Sequence, residues 1–430
     1  MAKSVVSIAK GTDPEKMIEE ALNLLGGVSS LIKAGSTVVI KPNIIGMYPA
    51  ERSITTSPPF VAAAIKVLRK ANPKQIILAE SSAMRRDTDK CLDISGIRAA
   101  AEKAGVDKIV DIKKEQDLVK LPIRDHRSDL TSILMPRFMV EAEHIVNLPI
   151  YKCHVSAVFS CCMKNIKGTV QDKVHYQMHQ TDLAAAMMDV WSVLRMDLNI
   201  VDMINPLEGF GPLGGIPHTG FGCVIAGKDP VATDATACRM VGLPVVKAPF
   251  FPYAAERGLG VYDEKDIEIR GKKIKEVFKQ LWIPYLTGGW EQWPEYKIIN
   301  EGACSSCQGL LAYGLERLKS LDAYDKNAGM TVCLGRIKEV PKGVKKEDLI
   351  LMGDCIPKKL RDQGLFVEGC PPLEFQPTWT MIDKKYEPPG VYTRNYMDEI
   401  AKFFEYSKKV RDQWQKSQAK APKAKGKTKK

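Results

Sequence analysis

Four cysteines in the last third of the chain are spaced as a metal-ligand set. Cys304 and Cys307 form a CxxC; Cys355 follows after 47 intervening residues and Cys370 after 14 more. Soft thiolates are the usual ligands of iron–sulfur clusters, which take four. Cys355 and Cys370 end the apolar runs DLILMGDC and GLFVEGC, so both read as residues just past strand ends. Gly353 and Gly369 let the backbone approach an inorganic core closely. Pro371 repeats the Cys-Pro that closes ferredoxin ligand runs. The set is read as the site of a 4Fe–4S cluster. With four thiolates no iron is open, so electron transfer is favoured over Lewis-acid chemistry. A zinc ion held by four cysteines would use the same thiolates, although its two halves are usually both CxxC. Buried or redox-active thiols are the third reading. Cys333 lies inside a strand pattern and reads as a core thiol that could stand in for one ligand. Cys91, Cys223 and Cys238 read as core.

A second constellation is basic. The segment 147–179 carries Lys152, His154, Lys164, Asn165, Lys167, His175 and His179. A strand end followed by Lys-Cys-His places a cation and an imidazole side by side. Lys41 and Asn43, after another strand, can reach the same crevice. Lysines and asparagines converging at strand ends suit a carboxylate or phosphate; the competing reading is that most of these lysines are solvated surface. His154, Lys152 and Lys164 are assigned the catalytic work, with His154 as general acid or base and the lysines neutralising developing charge. Lys41, Asn43, Asn165 and His175 are assigned to substrate binding. His175 and His179, spaced i, i+4, would share a helical face, for substrate contact, structure or a metal.

Cys161-Cys162 is a vicinal pair, which rarely forms a strain-free disulfide. A buried role, a reactive thiol and a second metal ligand are its readings. Asp202, Glu208, Asp229 and Asp234 are carboxylates near turns, suited to acid–base or to turn and cap roles. EGFGPLGG (208–215) does not follow a first strand as a GxGxxG fingerprint does, so no dinucleotide site is read from it.

These residues need a scaffold. VVSIA (5–9), STVVIKPNII (36–45), KQIILAE (74–80), DKIVDI (107–112) and HIVNLPI (144–150) alternate with helical patterns, which implies βαβ units and a mostly parallel sheet. Asp13-Pro14 opens the first helix, Ser57 is placed to cap a second and Thr181 a later one. Ligands bind beyond the carboxyl ends of such strands, where KPN (41–43), ESS (80–82) and NLPIYKCH (147–154) fall. The fold class is α/β: a mostly parallel sheet domain over 1–275, a smaller α/β cluster-binding domain over 276–414 that ends in an amphipathic helix (Ile400, Phe403, Phe404, Val410, Trp414), and a disordered basic tail over 415–430.

The chain of 430 residues is 45% apolar and 27% charged, which excludes a wholly disordered or collagenous protein. No run of 18 uncharged apolar residues suggests a membrane span. The opening residues have no apolar leader core, so a cytoplasmic compartment is expected, where eleven cysteines mean metal, catalysis or burial rather than disulfides. Seven lysines in the last sixteen residues supply +7 of the net +12. A solubilising end is the simplest account of them, and nucleic-acid binding is not inferred.

KPN (41–43), NLPIYKCH (147–154), MKNIKG (163–168), VDMINPLEGFGP (201–212) and AGKDPVATDATACRMVG (226–242) together resemble the family called "domain of unknown function 362", over about residues 1–275. The family's Lys-x-His followed by Lys-Asn corresponds here to Lys152, His154, Lys164 and Asn165. Its members often carry an iron–sulfur module, which the resemblance implies for this chain. Cys153 stands where a small residue or threonine is commoner, and Cys161-Cys162 is also unusual. The C-terminal strand-end cysteines and GCPP resemble, more distantly, the cluster-binding small subunits of nickel–iron hydrogenases.

The leading reading is a cytoplasmic iron–sulfur redox enzyme acting on a small anionic substrate, with a redox partner such as a ferredoxin. The alternatives are an electron carrier or assembly component without a substrate, and a zinc-stabilised binding protein whose basic tail docks an acidic partner.

Overall fold

A computed structural model describes residues 3–155, 157–284, 290–388 and 394–420, without the side chains of residues 305 and 420. Thirteen strands form the first lobe. In chain order they are β1 (Ser4–Lys10), β2 (Thr37–Pro42), β3 (Gln75–Glu80), β4 (Lys108–Asp111), β5 (Leu118–Pro122), β6 (Ser132–Pro136), β7 (His144–Leu148), β8 (Ile150–His154), β9 (Val158–Ser160), β10 (Leu198–Phe210), β11 (Gly214–Pro217), β12 (Cys223–Gly227) and β13 (Ile267–Gly271). Eleven of them make one sheet in the order β13-β1-β12-β10-β7-β2-β3-β4, with β8 and β11 paired to β10 and β9 paired to β8. The run β10-β7-β2-β3-β4 is parallel throughout; β12 runs antiparallel to β1 and β10. β5 and β6 form a separate antiparallel pair.

Parallel strands covered on both faces read as continuous apolar runs. β2 shows this: Val38 and Ile40 pack into one core with the helices Pro14–Asn23 and Pro58–Arg69, while Val39 faces the other core with Tyr151, Met163 and Phe250. Alternation with period two decides which residue goes where. Asp13 caps the first helix, accepting from the backbone N–H of Glu15 and Lys16. Ser57 occupies the cap position of Pro58–Arg69 but makes no side-chain cap; its hydroxyl donates to Asp202 at 2.8 Å. Asp182, not Thr181, caps Leu183–Trp191, because its carboxylate reaches the N–H of Ala184 and Ala185.

The first lobe keeps the chain beyond residue 275: Leu281 N–H donates to Val241 O, and Trp282 N–H to Glu208. The second lobe is a four-stranded, all-parallel sheet of β14 (Lys297–Glu301), β15 (Thr331–Gly335), β16 (Leu349–Met352) and β17 (Leu365–Val367), in that order. KIINE of β14 was not recognised from sequence, because it is short and only partly buried. Cys333 lies fully buried in β15, in an aliphatic cluster with Leu349 and Leu351.

The helix Tyr396–Lys420 returns across both lobes. Phe403 packs with Phe210, Ile216 and Trp282 of the first lobe and Tyr313 of the second. The helix continues through Lys420, six residues into the segment expected to be disordered. Gln, Lys and Ala are good helix formers, and no proline intervenes before Pro422. The rest of the basic tail, 421–430, lies outside the described residues. Among the described residues no helix is long and apolar enough to cross a membrane.

Candidate functional site

Two clefts meet where the carboxyl ends of the first sheet face the second lobe. The deeper is a chamber of about 70 Å³ whose wall includes Lys41, Lys152, Lys164, Lys167, Glu80 and Asn165. Lys41 leaves the end of β2 fully buried. Its ammonium donates to Glu80 (2.8 Å), Asn165 Oδ1 (3.0 Å) and the Pro42 carbonyl (2.8 Å). Lys152, at the end of β8, is 1% exposed and donates to Asn43 Oδ1 and the Ile54 carbonyl. Lys164 lies in the one-turn helix Cys162–Asn165, and its side chain has no hydrogen-bond or ion-pair partner among the described residues. Lys167 Nζ meets His179 Nε2 at 2.7 Å.

A ladder of amides crosses the sheet beneath the chamber. Asn43 Nδ2 donates to Asn165 Oδ1, Asn165 Nδ2 to Asn147 Oδ1, and Asn147 Nδ2 to Asn199 Oδ1, at 2.8–3.0 Å. It fixes which way each amide faces. Gly168 completes the chamber, because a Cβ there would overlap the Glu80 carboxylate and the Lys41 ammonium.

Crowded positive charge sets the electrostatics. Burial, then Lys41, lowers Lys164 to about 8. Burial and the neighbouring lysines hold Lys152 and Lys167 well below the ordinary lysine range. Burial raises Glu80 to about 7 against the pull of Lys41. Burial, then Lys164, Lys152 and Lys167, holds His154 well below 6.5, so its imidazole is neutral at pH 7. An entering anion would stabilise the protonated lysines, which one carboxylate alone does not balance.

The second cleft is a cavity of about 430 Å³ between the lobes. It shares Ile45 and Ala83 with the chamber. Its wall is mainly apolar, with Tyr48, Met84, Leu213, Leu310, Tyr313 and Leu373; His154 and His179 line its polar side, and Ser306 and Pro371 its far side. Arg86 spans the lobes to Glu374 at 3.1 Å.

The four predicted ligand cysteines converge beside that far side. Cys304 follows β14, Cys355 follows β16 and Cys370 follows β17, all at carboxyl ends of the second sheet. Cys304 is the N-cap of the helix Ser305–Ser320. A hydrogen bond from the Cys307 thiol, with N–H groups of Cys307 and Ser306, lowers Cys304 to about 6 against burial. The same hydrogen bond to Cys304, then burial, pushes Cys307 up, and the charges of Cys304, Cys355 and Cys370 add to it. A Cβ on Gly353 (φ +94°) would stand 3.1 Å from Cys307 Sγ, so glycine is required there. Gly369 N–H donates to Asp354 Oδ1 and Asp354 N–H to the Gly369 carbonyl, which ties the Cys355 and Cys370 loops together. No three of these thiols lie within 4.8 Å of one another; among the described residues the one group of three donors that close is Cys161, Cys162 and Asp234.

The remaining predicted residues are placed as follows. His175 borders the chamber, but Nε2 faces the Lys167 carbonyl and Nδ1 stands 3.6 Å from Asp172, so the ring holds the loop in place. His175 and His179 do share a helix, Asp172–His179. His179 is held between Lys167 and the Ser306 hydroxyl, and an ammonium at that distance does not suit a metal. Asp202 accepts from Ser57 and Ile204, and Glu208 from Trp282, which are structural roles. Asp229 caps Pro230–Met240. Sequence reasoning placed Glu80 and Asn147 only within strand-end segments, without a role, and missed Ser306, which carried no signal.

Residues 38–239 match the family model "Domain of unknown function (DUF362)". The Thylakoid-associated protein sll1697 of Synechocystis is 24% identical over 276 residues, which cover 60% of this chain and 81% of that protein. Among solved structures, the lactate racemase apoprotein of Thermoanaerobacterium thermosaccharolyticum aligns with a TM-score of 0.41 at 10% identity, covering 90% of this chain and 86% of that one. A protein of Thermotoga maritima aligns with a TM-score of 0.35 at 13% identity, covering 79% and 75%.

Proposed function

We propose that this member of the DUF362 family is an iron–sulfur redox enzyme acting on a small substrate with one anionic group and an apolar body. The observation that carries the reading is the placement of the 430 Å³ cavity, which borders the lysine chamber on one side and the Cys304–Cys307 and Cys370 loops on the other.

The cysteine set suits a 4Fe–4S cluster. Four thiols come from three strand-end loops, and Gly353 leaves Cys307 unobstructed. Tetrahedral zinc with bonds near 2.3 Å needs sulfurs about 3.8 Å apart. No three of these sulfurs lie within 4.8 Å of one another, which favours a cluster whose own core separates its ligands. Such a group supplies one-electron transfer. The protein's own residues do the rest. Lys164 and Lys152 hold the anionic end, and Lys41 with the amide ladder keeps the chamber rigid. The apolar wall excludes water from the substrate body, which strengthens every charge contact. Neutral His154, on the polar side of the cavity, is a proton acceptor at pH 7 and serves as the general base. Electrons arrive from a partner such as a ferredoxin near Cys355, the exposed member of the set. All eleven cysteines are free, in keeping with a reducing compartment such as the cytoplasm.

Anaerobic purification with iron, sulfide and zinc analysis tests the cofactor. About four iron and four sulfide per chain, lost in Cys355→Ala and Cys370→Ala, is the expected outcome. Zinc without sulfide would sink the redox reading. Sulfate binding by calorimetry tests the chamber and is expected to weaken in Lys164→Ala. If sulfate does not bind, the electron-carrier alternative gains.

A further inference from the structure

The vicinal cysteines have no role in the reading above, yet they belong to the tightest donor group described. Cys161 and Cys162 lie between β9 and the one-turn helix Cys162–Asn165, both fully buried. Their sulfurs are 3.9 Å apart. One sulfur from each, with a carboxylate oxygen of fully buried Asp234, makes three donor atoms within 4.8 Å of one another. Zinc–sulfur bonds near 2.3 Å in tetrahedral geometry place two sulfurs about 3.8 Å apart. The pair therefore has zinc spacing, with the close third donor that the Cys304 set lacks.

Asp234 is also oriented as a ligand should be. Its two oxygens accept the backbone N–H of Cys162 (2.7 Å) and Met163 (2.9 Å). These bonds hold the carboxylate in place, as second partners do for metal ligands. Cys238 lies one turn further along the helix Pro230–Met240, on the same face as Asp234. A second observation comes from β8. The Tyr151 hydroxyl is buried and has no hydrogen-bond partner, and the charges that act on it are those of Cys238, Cys153, Cys161 and Asp234. Buried hydroxyls are nearly always satisfied, so a partner between the tyrosine and the thiols would resolve it.

We infer that Cys161, Cys162 and Asp234 form a second, structural metal site for a thiophilic d10 cation, zinc(II), with Cys238 or the Tyr151 hydroxyl available as the fourth donor. Binding replaces the thiol protons, releasing about two per ion to solvent. Two thiolates and one carboxylate then face one dication, leaving a single net negative charge. The competing account is a protonated cluster in which the thiols donate to Asp234, with no ion.

Native mass spectrometry and metal analysis of the full chain, grown with zinc, decide between them. The expected result is one zinc per chain that persists in Cys304→Ser/Cys307→Ser and is lost in Cys161→Ser/Cys162→Ser. Cobalt(II) in the first variant should give thiolate-to-cobalt absorption, and Asp234→Asn should weaken it. Asp234→Asn also serves if the double serine variant fails to fold, since it keeps both sulfurs and the shape of the side chain. A wild-type chain without zinc overturns the site. So does zinc that leaves with Cys304 and Cys307 and stays when Cys161 and Cys162 are replaced. A chain without zinc leaves the iron–sulfur reading untouched, since that reading rests on iron and sulfide; zinc that leaves with Cys304 and Cys307 counts against both.

Discussion

Lys164 is the residue on which anion binding turns, because Lys41, Lys152 and Lys167 already meet protein atoms. Removing a charged contact of this kind costs about 1.5–3 kcal/mol, so Lys164→Ala should weaken sulfate binding by roughly 10- to 100-fold in calorimetry. The pH dependence has a definite sign. Lys164 titrates near 8 and binds an anion only when protonated. Affinity should be full below that pH and fall by about tenfold per unit above it. Sulfate keeps its charge throughout, so a flat profile from pH 7 to 10 would remove Lys164 from the site. Asn147 is the central rung of the amide ladder, bonded to Asn165, Asn199 and the Cys162 carbonyl. Asn147→Ala leaves buried polar groups unpaired and should cost roughly 1–3 kcal/mol in urea unfolding.

At the scale of elements, the chemistry sits where strands end. Each βα turn carries one or two working residues, and the parallel arrangement brings those turns to one edge. β2 presents Lys41 and β3 presents Glu80; β16 and β17 lead into Cys355 and Cys370. The turns are tight enough for single atoms to matter. Gly353 has φ +94°, a conformation side chains rarely adopt, and a Cβ there would crowd Cys307 Sγ at 3.1 Å. Gly353→Ala should therefore lower iron content sharply while far-ultraviolet circular dichroism stays unchanged. Full iron occupancy in that variant would count against the close approach of the loop.

At the scale of the molecule, the cavity exists because the two lobes are held together. The helix Tyr396–Lys420 supplies the clasp. Glu399 pairs with fully buried Arg317 at 2.8 Å and accepts the Trp379 indole N–H at 2.6 Å. Removing one partner of a buried pair leaves an uncompensated charge, which typically costs about 3–5 kcal/mol. Glu399→Ala should lower the urea midpoint by a corresponding amount and make the C-terminal helix the first site of limited proteolysis.

The order of strands and helices, the Asp13 cap, the CxxC at a helix start and the strand-end positions of Cys355 and Cys370 were all legible in the chain. Each depends on neighbours within a few residues, through side-chain alternation, cap chemistry or turn preference. The lysines and asparagines of the basic segment were legible as residue types, but their partners were not. Lys41 meets Glu80 across 39 residues, Cys162 meets Asp234 across 72 and His179 meets Ser306 across 127. No local period encodes such pairs. They follow from how crossovers stack on the sheet and how the second lobe closes on the first. The sequence by itself determined which groups lie at strand ends. Only tertiary packing decided which of them share a cavity, which are spent on structure, as His175 and Asp202 are, and which donors lie close enough to hold one ion.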